Sequence, residues 1–207
     1  MDLVEPVQAI IPGVQGRILA VLAETSAELS LRTIARLAGV SIAQASRVMP
    51  KLVELGMVAR REVPPSALFR LVEDHVASRA VLALAGARRT VLEELGQAAG
   101  TLAPAPLSVI VFGSFARGEA RADSDIDVVV VKPAEVAEED QAWGSGLEGW
   151  RRHARRITGN RAEIVEVDER EVARLLASRK PLWANVVRDG LVIFGRPLRE
   201  LKIQRSA

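Results

Sequence analysis

The 207-residue chain contains no cysteine. That excludes a disulfide framework, a thiolate metal site and a cysteine nucleophile. Tyrosine is absent as well, and aromatic residues amount to only 3%. The three tryptophans, Trp143, Trp150 and Trp183, read as core or interface residues rather than base-stacking platforms. There are two histidines, His75 and His153, and neither has a metal-ligand companion at useful spacing. No stretch approaches the ~18–20 uninterrupted apolar residues of a membrane span. The opening Met1-Asp2-Leu3-Val4-Glu5-Pro6 lacks the basic–apolar–small order of a secretory signal, so no membrane association and a cytoplasmic location are expected. Charge of one sign is also scarce, since 28 basic residues against 26 acidic ones leave +2. Global charge therefore makes no case for nucleic-acid binding, which must rest on local pattern. What is abundant is apolar residue, at 49%, too much for a disordered chain.

The first third reads as short helices followed by a hairpin. Ile18, Leu19, Val21 and Leu22 form one helical face, and Leu31, Ile34, Leu37 and Ala38 another. Gly39 suits a left-handed helix end. Ser41 caps the next helix, with Gln44 completing a capping box. That helix shows Ala45, Val48, Leu52 and Leu55 on one side and Gln44, Arg47 and Lys51 on the other. Pro50 falls inside it, where a proline costs about 3 kcal/mol or kinks the helix. Residues 57–61 and 68–71 flank Val63-Pro64-Pro65-Ser66 as strand, turn and strand.

Residues 73–100 read as one long helix, ending in the turn-rich Gly100-Thr101-Leu102-Ala103-Pro104-Ala105-Pro106. The last half alternates strand and helix. Strands are expected at 107–112, 125–131, 163–167 and 191–194. Helices are expected at 134–156 (interrupted at Gly144-Ser145-Gly146), 169–178 and 182–188. The predicted organisation is a helical domain over 1–72, a connecting helix and linker over 73–104, and an α/β domain over 105–207.

The chemistry concentrates between Val111 and Val129. An apolar strand ends at Gly113-Ser114, and a short helix follows. Glycine lets a phosphate approach the backbone, a helix start offers unpaired N–H groups, and Ser114 adds a hydroxyl donor. The next strand carries Asp125 and Asp127. A period of two points both carboxylates to one face, with Ile126, Val128 and Val130 on the other. Two carboxylates so placed repel unless a cation lies between them, and oxygen ligands select Mg²⁺ or Mn²⁺. An anion corner beside such a pair is the equipment of metal-assisted phosphoryl or nucleotidyl transfer.

The stretch Gly113-Ser114-Phe115-Ala116-Arg117-Gly118-Glu119-Ala120, followed by Ser124-Asp125-Ile126-Asp127, resembles the signature of the DNA-polymerase-β-like nucleotidyltransferases, in particular their minimal group. Thr158-Gly159-Asn160 and Asp189-Gly190-Leu191-Val192-Ile193-Phe194-Gly195 also look like that group, and the resemblance covers about Leu107 to Pro197. It implies that Gly113 and Ser114 hold the β- and γ-phosphates of a nucleoside triphosphate, while Asp125, Asp127 and a third carboxylate hold Mg²⁺ or Mn²⁺. The third strand offers Glu163 and Glu166 on opposite faces, and facing favours Glu163. Arg117 is a candidate either for triphosphate contact or for pairing with a carboxylate. Members of the minimal group often act as antitoxins that nucleotidylate a toxin, which makes a partner toxin one acceptor class beside an RNA end or a small molecule. The run Arg151, Arg152, Arg155, Arg156 forms a basic helix stripe, read as a solvated face or as a steering surface for a triphosphate, an RNA end or an acidic partner.

Leu31 to Val58, leading into the hairpin, resembles a winged helix-turn-helix. On that reading Gln44, Arg47 and Lys51 face a DNA major groove, and Arg60 and Arg61 flank the wing for phosphate contact. The expected fold class is thus α+β: a winged helix-turn-helix followed by a small nucleotidyltransferase fold with a mixed sheet flanked by helices. The expected function is NMP transfer from an NTP to a hydroxyl, coupled to DNA binding, with a homodimer compatible with the winged helix. The alternatives are a nucleotide-sensing regulator or an antitoxin-type interaction protein without turnover.

Overall fold

A computed structural model describes residues 2–203. The chain divides into two units: Glu5–Ala87, and Met1–Val4 together with Arg88–Ala207.

The first unit holds α1 (Pro6–Ile10), α2 (Gly13–Ala23), β1 (Leu29–Ser30), α3 (Leu31–Leu37), α4 (Ile42–Glu54), β2 (Val58–Val63), β3 (Ser66–Leu71) and α5 (Val76–Ala85). Its three strands form an antiparallel sheet in the order β1-β3-β2. Gly39 ends the turn after α3 with φ +61°, a conformation that favours glycine. Ser41 then caps α4. Its Oγ accepts from the Gln44 N–H at 3.1 Å, and Gln44 Oε1 accepts from the Ser41 N–H at 2.9 Å. The core joins Ile18, Leu19 and Leu22 of α2, Ile34 of α3, Ala45, Met49 and Leu52 of α4, and Phe69 and Leu71 of β3. The buried face of α4 therefore runs through Met49. Val48 is only half-buried and Leu55 is exposed, which corrects the expected stripe. Pro50 does not break α4. It sits on the exposed side, so the helix tolerates the one hydrogen bond that its missing N–H forgoes.

The expected long helix over 73–100 is two helices. α5 stops at Gly86, and α6 (Ala87–Gly100) belongs almost wholly to the second unit. Val81 of α5 packs into the helix-turn-helix core, whereas Trp150 of the second unit donates its indole N–H to the Leu95 carbonyl of α6 at 3.0 Å. Residues 73–104 are thus divided between two cores rather than forming a connector, and the boundary lies at 87/88.

The second unit continues with β4 (Ser108–Phe112), α7 (Gly113–Arg117), β5 (Ile126–Lys132), α8 (Gln141–Thr158), β6 (Ala162–Asp168), α9 (Glu169–Leu176), α10 (Pro181–Asp189), β7 (Leu191–Gly195) and α11 (Leu198–Leu201). The sheet order is β6-β5-β4-β7, with β5 and β6 parallel and the other pairs antiparallel. One face, from Ile110, Phe112, Val129, Val131 and Val167, packs on Val172 and Leu176 of α9 and Trp183 and Val186 of α10. Ile126, Val128 and Val130 point the other way and are also buried, so the central strand has no solvated face except at its start. α8 begins at Gln141, later than expected, because Asp140 caps it by accepting from the Trp143 N–H at 2.9 Å. Gly144 and Gly146 do not interrupt α8. A Cβ at Gly146 would lie 3.2 Å from Leu102, so the small residue serves a close approach. Among the described residues no helix is long and apolar enough to cross a membrane.

Candidate functional site

The start of β5 is where the sheet stops being covered. Asp125 precedes the strand and is exposed, and Asp127 is half-buried inside it. Register does the assembling. Asp127 lies opposite Phe112, the last residue of β4, and opposite Glu163 of the parallel strand β6. In-register residues of neighbouring strands share a face, so Asp125, Asp127 and Glu163 are on one side. Glu166 pairs with Val130 and so lies on the other side, where it accepts a 2.8 Å hydrogen bond from the indole N–H of Trp143. The two glutamates are separated by this register.

The Asp127 carboxyl is held above the usual carboxylate range. Burial is the largest cause, followed by the negative charges of Asp125 and Glu163, with Arg117 opposing them. The proton is favoured because a third negative charge is costly among two others. A cation held there would relieve the same repulsion, and the donors are all oxygen, which suits a hard divalent ion. Among the described residues, however, no three carboxylate or imidazole groups are gathered closely enough to hold a metal ion. Asp125 and Asp127 fit such an ion as a pair. Glu163, opposite Asp127 on the same face, is close enough for its charge to act on that carboxyl.

Gly113 explains why Asp127 sits where it does. β4 passes directly into α7, and Gly113 makes the corner with φ +71°. A Cβ on Gly113 would collide with the Asp127 carboxylate, so the two positions are coupled. Ser114, the next residue, is half-buried in α7.

Arg117, a candidate for phosphate contact, is turned to carboxylates. Its Nε donates to Glu119 at 2.8 Å and its Nη1 to Asp189, at the end of α10, at 2.7 Å. Asp189 is brought down to about 2 by hydrogen bonds from Arg188 and Arg117. Of the two roles left open for Arg117, the pairing is the one that the side chain adopts.

Three supports were not assigned roles from sequence. Arg88, from α6, donates Nε to the Phe115 carbonyl at 3.0 Å and Nη2 to that of Ala116, satisfying the last carbonyls of the short α7. Asp189 anchors Arg117. Asn160, 2% exposed, donates its side-chain amide to the carbonyls of Ser124 at 2.7 Å, Arg121 at 3.0 Å and Ala122 at 3.4 Å. That amide pins the loop immediately before Asp125. Asn160→Ala should lower the melting temperature of this unit by about 4–8 °C, since it orphans carbonyls around a buried amide. Thermal unfolding followed by circular dichroism checks this, and an unchanged transition would remove the clip from the account.

In the other unit the five proposed DNA contacts divide. Arg47 is exposed on α4 and pairs with no carboxylate among the described residues. Lys51 is also exposed, with only a 3.2 Å pair to Glu54 one turn on. Gln44 spends its carbonyl on the capping box. Arg60 pairs with Glu62 at 2.7 Å. Arg61 is forked onto Glu28, whose carboxyl it holds below the usual range. α4 thus presents Arg47 and Lys51, while Arg60 and Arg61 of the hairpin are engaged within the unit.

Comparison with known proteins finds one family model in each unit. Residues 89–185 match the family model of the nucleotidyltransferase domain, and residues 16–62 match that of the IclR helix-turn-helix domain. No curated protein matches. Among solved structures, one described as the crystal structure of a toxin-antitoxin with AMP-PNP is 16% identical. It covers 55% of this chain and 79% of its own, with a TM-score of 0.36.

Proposed function

Starting from a chain that joins an IclR-type helix-turn-helix domain to a nucleotidyltransferase domain, we propose that it transfers a nucleoside monophosphate from an NTP to a hydroxyl acceptor and binds DNA through α4. The observation that carries the transferase reading is the crowding of Asp127 by Asp125 and Glu163 beside the side-chain-free corner at Gly113. Asp125 and Asp127 would hold Mg²⁺ or Mn²⁺, with Glu163 as the third carboxylate. When bound, such an ion neutralises charge on the attacking and leaving oxygens.

The chain's own residues do the rest. Gly113 and Ser114 receive the β- and γ-phosphates, the glycine by admitting them to the backbone and the serine through its hydroxyl. Arg117, fixed by Glu119 and Asp189, holds α7 against α10 and contributes positive charge near the carboxylates. Glu163, exposed on β6, accepts the acceptor hydroxyl's proton. The freed oxygen bonds to the α-phosphorus, the bond from that phosphorus to the bridging oxygen breaks, and pyrophosphate carries away the electron pair.

Incubation of the full chain with each α-labelled NTP, a divalent cation and a cell lysate tests this reading. Transfer of label to a macromolecule or small molecule supports it. Nucleotide binding without transfer from any NTP supports the second reading, a nucleotide-sensing regulator. The observation favouring that rival is that, among the described residues, no three carboxylates are gathered for a metal.

The DNA reading makes its own prediction. Arg47→Ala should weaken binding to a promoter fragment about tenfold, the effect of losing one base or phosphate fork. Arg61→Ala should change it little, because Arg61 is occupied by Glu28. Gel shift at two salt concentrations checks both. Binding that ignores salt and Arg47 alike would rule out α4 as the reading helix.

A further inference from the structure

The arginine stripe of α8 is larger in space than in sequence. Arg152, Arg155 and Arg156 are exposed, and Arg151 is partly so. Gly159 closes α8 by donating to the Arg155 carbonyl at 2.8 Å, and Asn160 then ties the chain to the loop at Arg121–Ser124. Arg161 follows, its carbonyl accepting from the Ile126 N–H at 2.7 Å. Exposed Arg121 and Arg161 are thereby brought to the corner where α8 ends and where Asp125 begins.

We propose that this corner is a docking surface for a nucleic-acid strand, with Arg121, Arg155, Arg156 and Arg161 on its phosphodiester backbone. The surface itself does not depend on turnover. Its use rests on the transferase reading: a strand held there brings its terminal 3′ hydroxyl beside Asp125 and Glu163, as the acceptor.

Several features favour polyphosphate over an acidic protein. These four residues are all arginine, whose planar fork matches phosphate oxygens. None of the four pairs with a carboxylate among the described residues, and Arg156 instead lies 2.9 Å from the His153 ring nitrogen. Arg151 and Arg152 share Glu148 at 3.6 and 3.9 Å, loose exposed contacts that leave their charge available. No large apolar side chain is exposed on α8, on the loop 118–125 or at 159–163, so a protein partner would find no anchor to bury. Complementing the helix dipole accounts only for the last turn, Arg155 and Arg156, and for neither Arg121 nor Arg161. Trp143 and Trp150 are buried, so the surface has no stacking platform and would read backbone rather than bases.

Fluorescence anisotropy of the full chain without NTP tests this. The probes are a labelled RNA hairpin with a single-stranded 3′ overhang, its DNA equivalent, and a polyglutamate peptide of matched charge as competitor. Arg155→Ser/Arg156→Ser and Arg121→Ser/Arg161→Ser should each weaken hairpin binding about tenfold at ~0.1 M salt and flatten the logarithmic salt dependence by about 1.5–2. Circular dichroism should show an unchanged fold, as these side chains are on the surface. Arg47→Ala/Lys51→Ala should leave the hairpin affinity intact. Equal affinity for both hairpins means that backbone alone is read, and RNA preference adds the 2′ hydroxyl; either supports the surface. Hairpin binding lost only in Arg47→Ala/Lys51→Ala, absent altogether, or displaced by polyglutamate as readily as by unlabelled hairpin would overturn it. Because no NTP is present, a failed transfer assay and a failed binding assay remain separate results.

Discussion

On the proposed reading, Asp125→Ala/Asp127→Ala should reduce nucleotidyl transfer at least about a thousandfold, because it removes the paired carboxylates at the anion corner and with them the proposed stabilisation of the displacement. The same change should not unfold the protein. Asp127 is crowded by Asp125 and Glu163 and held above its usual range, so ionising it works against the fold. A group raised in this way favours the folded state below its unfolded value and loses that contribution as pH rises through the folded one. Asp127→Asn should therefore leave the melting temperature unchanged or raise it by about 1–3 °C near neutral pH in EDTA. Stability up and transfer gone is the signature of a site whose charges are kept for chemistry. Transfer surviving the double substitution would remove these carboxylates from the mechanism; a large fall in melting temperature would make them structural.

Gly113→Ala should be nearly as damaging through a different route. The position needs φ +71°, which costs an alanine about 1–2 kcal/mol. The added methyl also enters the space of the Asp127 carboxylate. Phe112 faces Asp127 across the strand pair, so the corner cannot retreat without disturbing β4. Transfer should fall about a hundredfold or more, consistent with a misplacement of about 1 Å at a reacting centre. The melting temperature should fall by about 3–8 °C. Gly144→Ala is the matched control, since a Cβ there meets nothing within 4 Å and alanine suits a helix. A Gly113→Ala protein as active as the Gly144→Ala protein would mean that the corner does not hold the nucleotide.

The strands were legible because β-branched runs such as Val128 to Val131 have no other comfortable home. The helix-turn-helix was legible because Gly39, Ser41 and Gln44 each do a local job at a fixed offset. The break at Gly86 was not. An alanine-rich sequence with one glycine looks continuous, and only the destination of each face divides α5 from α6. Which glutamate accompanies Asp127 was half-legible. Alternation separates Glu163 from Glu166, but the register of β6 on β5 decides which of them shares the aspartate's face. The arginine partnerships were invisible for a simple reason. Arg117 meets Asp189 across 72 residues, and Asn160 reaches Arg121 across 39. Pattern arguments act over a turn or a strand, and nothing in a short window foretells a partner so remote.

The beginning of the chain belongs with its end. Leu3 is buried in the second unit and donates its N–H to the Ala120 carbonyl at 3.0 Å, beside the motif loop, while residues 5–87 fold elsewhere. The helix-turn-helix unit is therefore an insertion, not a prefix. Cutting the chain at 87/88 would yield one whole unit and one lacking a buried leucine. Closing the Leu3–Ala120 contact through unfolded chain costs entropy that grows with the logarithm of the 116 residues between them. Folding of residues 5–87 shortens that loop, so the Leu3 strap costs the second unit less once the helix-turn-helix unit has formed.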